Sequence, residues 1–297
     1  MKDEENLFCE MYVFIDNEIK KVKLENNTAK KIAISFAKSI VEVFNKDIRL
    51  KSIEEYNDED AKAIYYFDDG NLIESLNKLI VLPDKIEEIG NFDFDAISFI
   101  MIKVAINESN KCYLYKKLAP IHLLKRSLTI SFLSLENGIV KEYDKNILKL
   151  DNKFHFLSID DKLFVINFNI LEKYFRYDEV ILKKAQNVIE MLETLEFLGD
   201  IEKIKEFSKN KSFAKKIHNL HKSPVIDIVK NNPSKVESFI NNHNELKEFF
   251  DIVNGKLKLK KQTKKNIEKL IKLLNDDLIQ SELTDIMYET FNKERLK

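Results

Sequence analysis

The chain has 297 residues, is 44% hydrophobic and 33% charged, and carries a formal net charge of −1, which suits a folded protein with a sizeable core and excludes a disordered polyelectrolyte. Its longest near-apolar run, Ala96 to Ile106, is interrupted by Lys103 and falls short of the roughly 20 residues that a membrane-spanning helix needs. The five glycines leave almost nothing for a phosphate-cradling loop, and the two cysteines, Cys9 and Cys112, stand far apart without metal-ligand spacing.

Phe8 to Ile15 and Ile19 to Leu24 read as two strands joined by a turn at Asp16-Asn17. Asn27-Thr28 opens a long helix free of Gly and Pro. Ile48 to Tyr56 and Ala63 to Phe67 read as strands. Asp69-Gly70 marks a turn, and Asn71 with Glu74 has capping-box spacing ahead of a helix over Leu72 to Val81 that Pro83 ends. Phe92 to Ile106 and Cys112 to Lys117 read as a long strand and its hairpin partner. Leu128 to Leu135 is a further strand before a turn at Glu136-Asn137-Gly138.

The most informative stretch follows. Apolar runs Phe154 to Ile159 and Leu163 to Phe168 flank Asp160-Asp161, the pattern of a β-hairpin. The second run is apolar on both faces, which places its strand inside a sheet covered on both sides. Asn169 and Glu172 have the spacing of a capping box for the next helix. Asp178 then caps a helix whose apolar residues Ile181, Ala185, Val188, Leu192 and Leu195 fall on one side, with Glu179 and Lys183 as an i,i+4 pair. From Asp200 onward only helices are expected, punctuated by Pro224 and Pro233, with a capping box at Ser234 and Glu237 and an amphipathic helix around Ile267, Leu270, Ile271 and Leu274.

The fold class read from these signals is α+β: a mixed or antiparallel sheet with flanking helices in residues 1–199, followed by a helical C-terminal part in residues 200–297.

Three chemistries are open to the charged and histidine residues of this chain. Asp151 with Asp160-Asp161-Lys162 faintly resembles a metal-dependent nuclease site, but the aspartates sit where the hairpin must turn. Asp93 and Asp95 read as a solvated strand face. His218 and His221 share a helical face at a metal-compatible spacing, yet no third ligand lies near in sequence. The third chemistry is polyanion binding. Lys116-Lys117 and Lys125-Arg126 flank Pro120, and Lys256, Lys258, Lys260, Lys261, Lys264 and Lys265 crowd into ten residues without an acidic one. Such density suits phosphates met without reading bases, and equally suits a solvated lysine-rich face.

Charge is unevenly spread. Residues 1–100 hold 13 Lys/Arg against 22 Asp/Glu, residues 101–200 hold 15 against 14, and residues 201–297 hold 21 against 14, so the thirds carry −9, +1 and +7. An acidic start and a basic end favour a positive face for a polyanion, or contact between oppositely charged halves of two copies.

The hairpin region also resembles a known family. Leu150, Asp151 and Phe154, then Asp161, Leu163, Phe164, Val165, Ile166 and Asn167, then Glu172, Tyr174 and Phe175 follow the pattern of the domains typified by KwaB, the soluble component of the bacterial Kiwa anti-phage system; Leu123-Leu124-Lys125-Arg126 fits the same pattern. The resemblance spans about residues 114–195. His155 stands where the family often has an acidic residue, which argues against a role needing a carboxylate there. The resemblance implies a cytoplasmic protein of anti-phage defence that binds invading phage DNA and is paired with a small membrane-spanning protein of the KwaA type. A homodimer is expected from the general prevalence of such assemblies. The resulting expectation is a non-specific DNA binder that obstructs DNA use, with the lysines and Arg126 as phosphate contacts and with no catalytic residue, cofactor or metal. The alternatives are a metal-dependent nuclease assembled from distant carboxylates and a protein–protein scaffold.

Overall fold

The computed structural model describes residues 7–16, 18–45, 47–57, 60, 62–68, 72–80, 82–83, 85–90, 92–107, 110–119, 122–124, 132–136, 139–143, 147–281 and 286–289. The chain divides into two compact units, Met1–Glu54 with Lys62–Phe175, and Glu55–Ala61 with Arg176–Lys297. The architecture is α+β.

The first unit contains β1 (Phe8–Ile15), β2 (Glu18–Val22), α1 (Asn26–Phe44), β3 (Arg49–Ser52), β4 (Ala63–Phe67), α2 (Glu74–Ile80), β5 (Glu88–Ile89), β6 (Ile97–Ala105), β7 (Lys111–Lys117), β8 (Leu123–Leu124), β9 (Phe132–Glu136), β10 (Ile139–Tyr143), β11 (Ile147–Leu148), β12 (Phe156–Ile159), β13 (Lys162–Val165) and α3 (Phe168–Phe175). Nine strands form one mixed sheet in the order β3-β4-β13-β12-β7-β6-β1-β2-β5. Its interior ladders are antiparallel, and the outermost pairs β3–β4 and β2–β5 are parallel.

The strands alternate so that both faces are apolar. Met11, Val13, Ile100, Ile102, Leu114, Leu157 and Phe164 join Ala33 and Phe36 of α1 in one core cluster. On the opposite face Phe175 of α3 packs against Phe99 and Phe156, with ring centroids 5.5 and 5.4 Å away. Cys9 and Cys112 lie buried in this sheet as free thiols, with the Cys9 thiol donating to Ala29 O at 3.1 Å. Burial pushes both thiols up to about 11, so they are protonated and poor nucleophiles at neutral pH.

The β12–β13 hairpin matches its sequence signal. Asp160 and Asp161 have φ of 49° and 58°, the two left-handed positions of a type I′ turn, and β13 is an interior strand between β4 and β12. The cap of α3 comes two residues earlier than the spacing predicts. Asn167, not Asn169, caps: its Oδ1 accepts the Asn169 N–H at 3.1 Å. Asp93 is not on a strand face either. It caps a single 3-10 turn at Phe94–Ala96 by accepting the Asp95 N–H at 3.0 Å, so β6 starts only at Ile97. Likewise β3 gives way after Ser52 to a 3-10 turn, Ile53–Glu55. The turn expected at Asp69-Gly70 and the cap at Asn71 lie outside the described residues, as do Asn137-Gly138 and 128–131.

The second unit contains α4 (Tyr177–Glu193), α5 (Ile201–Ser208), α6 (Lys211–Ile217), α7 (Pro224–Asn231), α8 (Pro233–Asn242), α9 (Asn244–Lys247), β14 (Phe250–Val253), β15 (Lys256–Leu259), α10 (Lys264–Leu274), β16 (Leu278–Gln280) and β17 (Met287–Glu289). The predicted apolar faces of α4 and α10 are buried, and Pro224 and Pro233 each sit at the start of a helix, where the missing N–H costs nothing. Asp178 lies inside the first turn of α4, whose N-cap is Arg176; Glu179 meets Arg176 at 3.6 Å. The cap of α8 is Asn232, whose Oδ1 accepts from the Ser234 hydroxyl at 2.7 Å. The expectation of helices alone after Asp200 is corrected by two hairpins, β14–β15 and β16–β17.

Candidate functional site

The six-lysine run lies on one of those hairpins and on the helix that follows. Asn254 and Gly255, with φ of 54° and 71°, make the type I′ turn that Asn-Gly favours most strongly. The turn sets Val253 opposite Lys256 and Asp251 opposite Lys258. In β15 exposed Lys256 and Lys258 alternate with buried Leu257 and Leu259, so the lysines share the outward face.

The hairpin is held rigidly against the chain at 197–200. The Leu257 N–H donates to Phe197 O at 2.7 Å, and the Gly199 N–H donates to Leu257 O at 2.9 Å. Asp200 completes the seat: its carboxylate accepts the Leu259 N–H at 2.6 Å and the Gln262 amide at 2.9 Å. A Cβ on residue 199 would meet Lys258 Cγ at 2.8 Å and Leu257 O at 3.0 Å, so only glycine permits this approach.

Lys260 and Lys261 follow, both exposed, with Lys260 Nζ 3.5 Å from Asp251. Thr263 then accepts the Asn266 N–H and caps α10, whose first two residues are exposed Lys264 and Lys265. Their ammonium groups sit 5.8 Å from the Phe213 ring centre and 5.7 Å from that of Phe249. All six predicted lysines are therefore exposed, on β15, the segment after it and the first turn of α10. The arrangement offers a row of point charges on a rigid support, suited to oxyanions rather than to base edges.

The other predicted contacts lie differently. Lys116 is 2% exposed. Its ammonium donates to Asp151 Oδ1 at 2.6 Å and to Lys153 O at 3.0 Å. Asp151 also accepts the Lys153 N–H at 2.9 Å. Burial raises the Asp151 carboxyl, but the bonds from Lys116 and Lys153 outweigh it and hold it below the usual range. Asp151, weighed above as a metal ligand, is thus the partner of a buried lysine. His122 Nε2 lies 3.5 Å from its second oxygen, while burial and then Lys116 hold His122 below its ordinary value. His155 Nδ1 accepts the Lys117 N–H at 2.9 Å, and burial with Lys116 drives that imidazole down to about 4. Lys117 donates to Ser98 O at 2.8 Å and lies 5.0 and 4.9 Å from the rings of Phe99 and Tyr174. Lys125 and Arg126 lie outside the described residues.

The histidine pair does not converge. His218 is 2% exposed and its Nδ1 donates to Lys215 O at 2.8 Å; His221 Nδ1 faces His218 O at 3.0 Å. Among the described residues no three His, Cys, Asp or Glu side chains form a group that would hold a metal ion. Nor is any helix among them long and apolar enough to cross a membrane.

Comparison with known proteins adds a family to this geometry. The family described as Kiwa protein KwaB-like matches residues 95–284. A protein named Kiwa protein KwaB from Escherichia coli O55:H7 (strain RM12579 / EPEC) is 28% identical over 290 residues, covering 94% of this chain and 90% of that protein. No solved structure gives a significant match.

Proposed function

Since the chain belongs to the KwaB-like family of Kiwa proteins, we propose that it serves Kiwa anti-phage defence by binding duplex DNA without sequence preference and obstructing its use. The observation that carries the DNA-binding reading is the exposed row Lys256, Lys258, Lys260, Lys261, Lys264 and Lys265 on β15 and the start of α10. No acidic residue interrupts it in sequence. A duplex presents one phosphate charge per about 1.7 Å of its axis, and lysines that meet those charges release counterions. Lys117 is a subsidiary contact in this reading. Lys116, committed to Asp151, is not a contact. Under the same reading the chain works with a protein partner of the Kiwa system, of the membrane-spanning KwaA type, and as a homodimer that would double the basic surface.

Fluorescence anisotropy of the full chain with a labelled duplex, titrated with salt in EDTA and again in magnesium, tests the reading. Expected are binding that weakens steeply with salt and intact DNA afterwards. Changing Lys256, Lys258, Lys260 and Lys261 to Ala should make the log–log salt slope shallower by up to about 0.9 per lysine removed. An unchanged slope in that variant removes the row from the interface. Magnesium-dependent loss of the duplex would replace the reading with a nuclease.

A further inference from the structure

On α10 the lysines continue beyond the exposed row. Lys265, Lys269 and Lys272 follow at i, i+4 and i+7, which places them on one helical face. Lys265 and Lys269 both approach the Phe249 ring, at 5.7 and 5.5 Å. Glu289, the last residue of β17, closes the far half of this face. Its carboxylate pairs with Lys269 and reaches Lys272 at 2.6 Å. The one acid on the helix itself, Glu268, turns instead to Lys216 at 3.2 Å.

Glu289 stands opposite buried Leu278, and Tyr288 stands opposite Ile279. Since neighbouring residues alternate faces, Leu278 and Glu289 share one face, where Leu278 is buried and Glu289 stays exposed while pairing with the lysines of α10. Ile279 and Tyr288, 45% and 48% exposed, share the other one. The hairpin therefore turns apolar side chains to water while it turns a carboxylate onto two lysines. A carboxylate bridging two ammonium groups makes the same charge-assisted bonds as a phosphodiester oxygen pair.

We propose that Lys269 and Lys272 are a second phosphate-contact pair, continuing the row from Lys265, and that Glu289 occupies it in the free protein as a built-in competitor. This rests on the reading of the exposed lysine row as a DNA interface, and it adds a limit on footprint: DNA gains the second pair only by displacing Glu289.

The test compares salt titrations of duplex binding for the wild-type chain, Glu289→Gln, Lys269→Ala with Lys272→Ala, and the three changes together. Gln keeps the shape of the side chain, removes its charge and leaves one accepting oxygen where the carboxylate has two. Glu289→Gln is expected to bind more tightly at low salt and to steepen the slope by about 1 to 2. The triple variant is expected to lose that gain. If the wild type binds and Glu289→Gln has the wild-type slope, the second pair is wrong and the exposed row stands. If neither binds, both readings fail. If only Glu289→Gln binds, the capped pair stands without the exposed row. Lysine acylation read by mass spectrometry gives a check independent of affinity. Lys269 and Lys272 should react slowly in the wild type, faster in Glu289→Gln, and slowly again in that variant with duplex added; equal rates throughout overturn the proposal.

Discussion

Lys116 Nζ lies 2.6 Å from Asp151 Oδ1, an ion pair that fastens the loop before the β12–β13 hairpin to the interior strand β7. The lysine is buried while Asp151 keeps a third of its side chain in water. The two ends of the pair are therefore unequal when one is removed. Asp151→Ala strands a buried ammonium with only the Lys153 carbonyl, and is expected to cost about 2 kcal/mol, below the usual range for fully buried pairs because Asp151 is part-solvated. Lys116→Met leaves a carboxylate that water can reach and fills the lysine's volume, and should cost about 1 kcal/mol. Urea denaturation measures both. The same Lys116→Met protein should keep the wild-type salt slope with duplex DNA; a fall would return Lys116 to the interface.

Acid should loosen the second unit through His218. Its imidazole is buried, and burial holds it down at about 4, below the ordinary 6.5. The unfolded chain therefore takes up a proton below about pH 6.5 while the folded chain does not until about pH 4. The stability is fully present above 6.5 and is lost as pH falls through that window. At pH 5 the loss from this one group is about 2 kcal/mol. His155, also near 4, acts in the same direction in the first unit. Denaturation at pH 7 and pH 5 checks the claim: His218→Phe should lose about 2 kcal/mol less than the wild type between the two. Equal losses would mean that His218 titrates normally.

The sheet was legible where alternation and turn chemistry agreed. Phe8–Ile15 and Ala63–Phe67 have the predicted bounds, and Asp160-Asp161 turned as aspartates at positive φ do. Caps were the weak point. Asn169 and Asn167 both precede the apolar face of α3, and only the backbone path decides which side chain meets a free N–H. Sequence reading missed the β14–β15 hairpin, although Asn254-Gly255 between Ile252 and Leu257 carries its signal. A helical run on both sides masked a four-residue alternation. The pairing of Lys116 with Asp151, 35 residues apart, had no local signal at all. Lysine density marked a surface run and a buried ion-pair partner alike, and only burial separates them.

The β14–β15 hairpin offers a way to weaken the proposed interface without removing a charge. Two glycines control it for different reasons. At Gly255 an added Cβ meets nothing within 4 Å, but φ is +71°. Gly255→Val therefore fails through backbone strain alone, about 1 to 2 kcal/mol for a side chain held in the left-handed region. At Gly199 the added Cβ meets the Leu257 carbonyl at 3.0 Å. That oxygen is backbone, so Gly199→Ala must push β15 away and stretch the Gly199 N–H bond to Leu257 O, an overpacking cost of about 1 to 3 kcal/mol. Both variants should melt earlier, and both should bind duplex DNA more weakly with a shallower salt slope, because Lys256 and Lys258 no longer stand in a fixed row. The effect should exceed that of neutralising Lys203 on α5, whose ammonium pairs with Glu206 at 2.7 Å. If either glycine variant is destabilised yet binds DNA like the wild type, the lysines act as a flexible cationic segment, and the rigid hairpin is not what presents them.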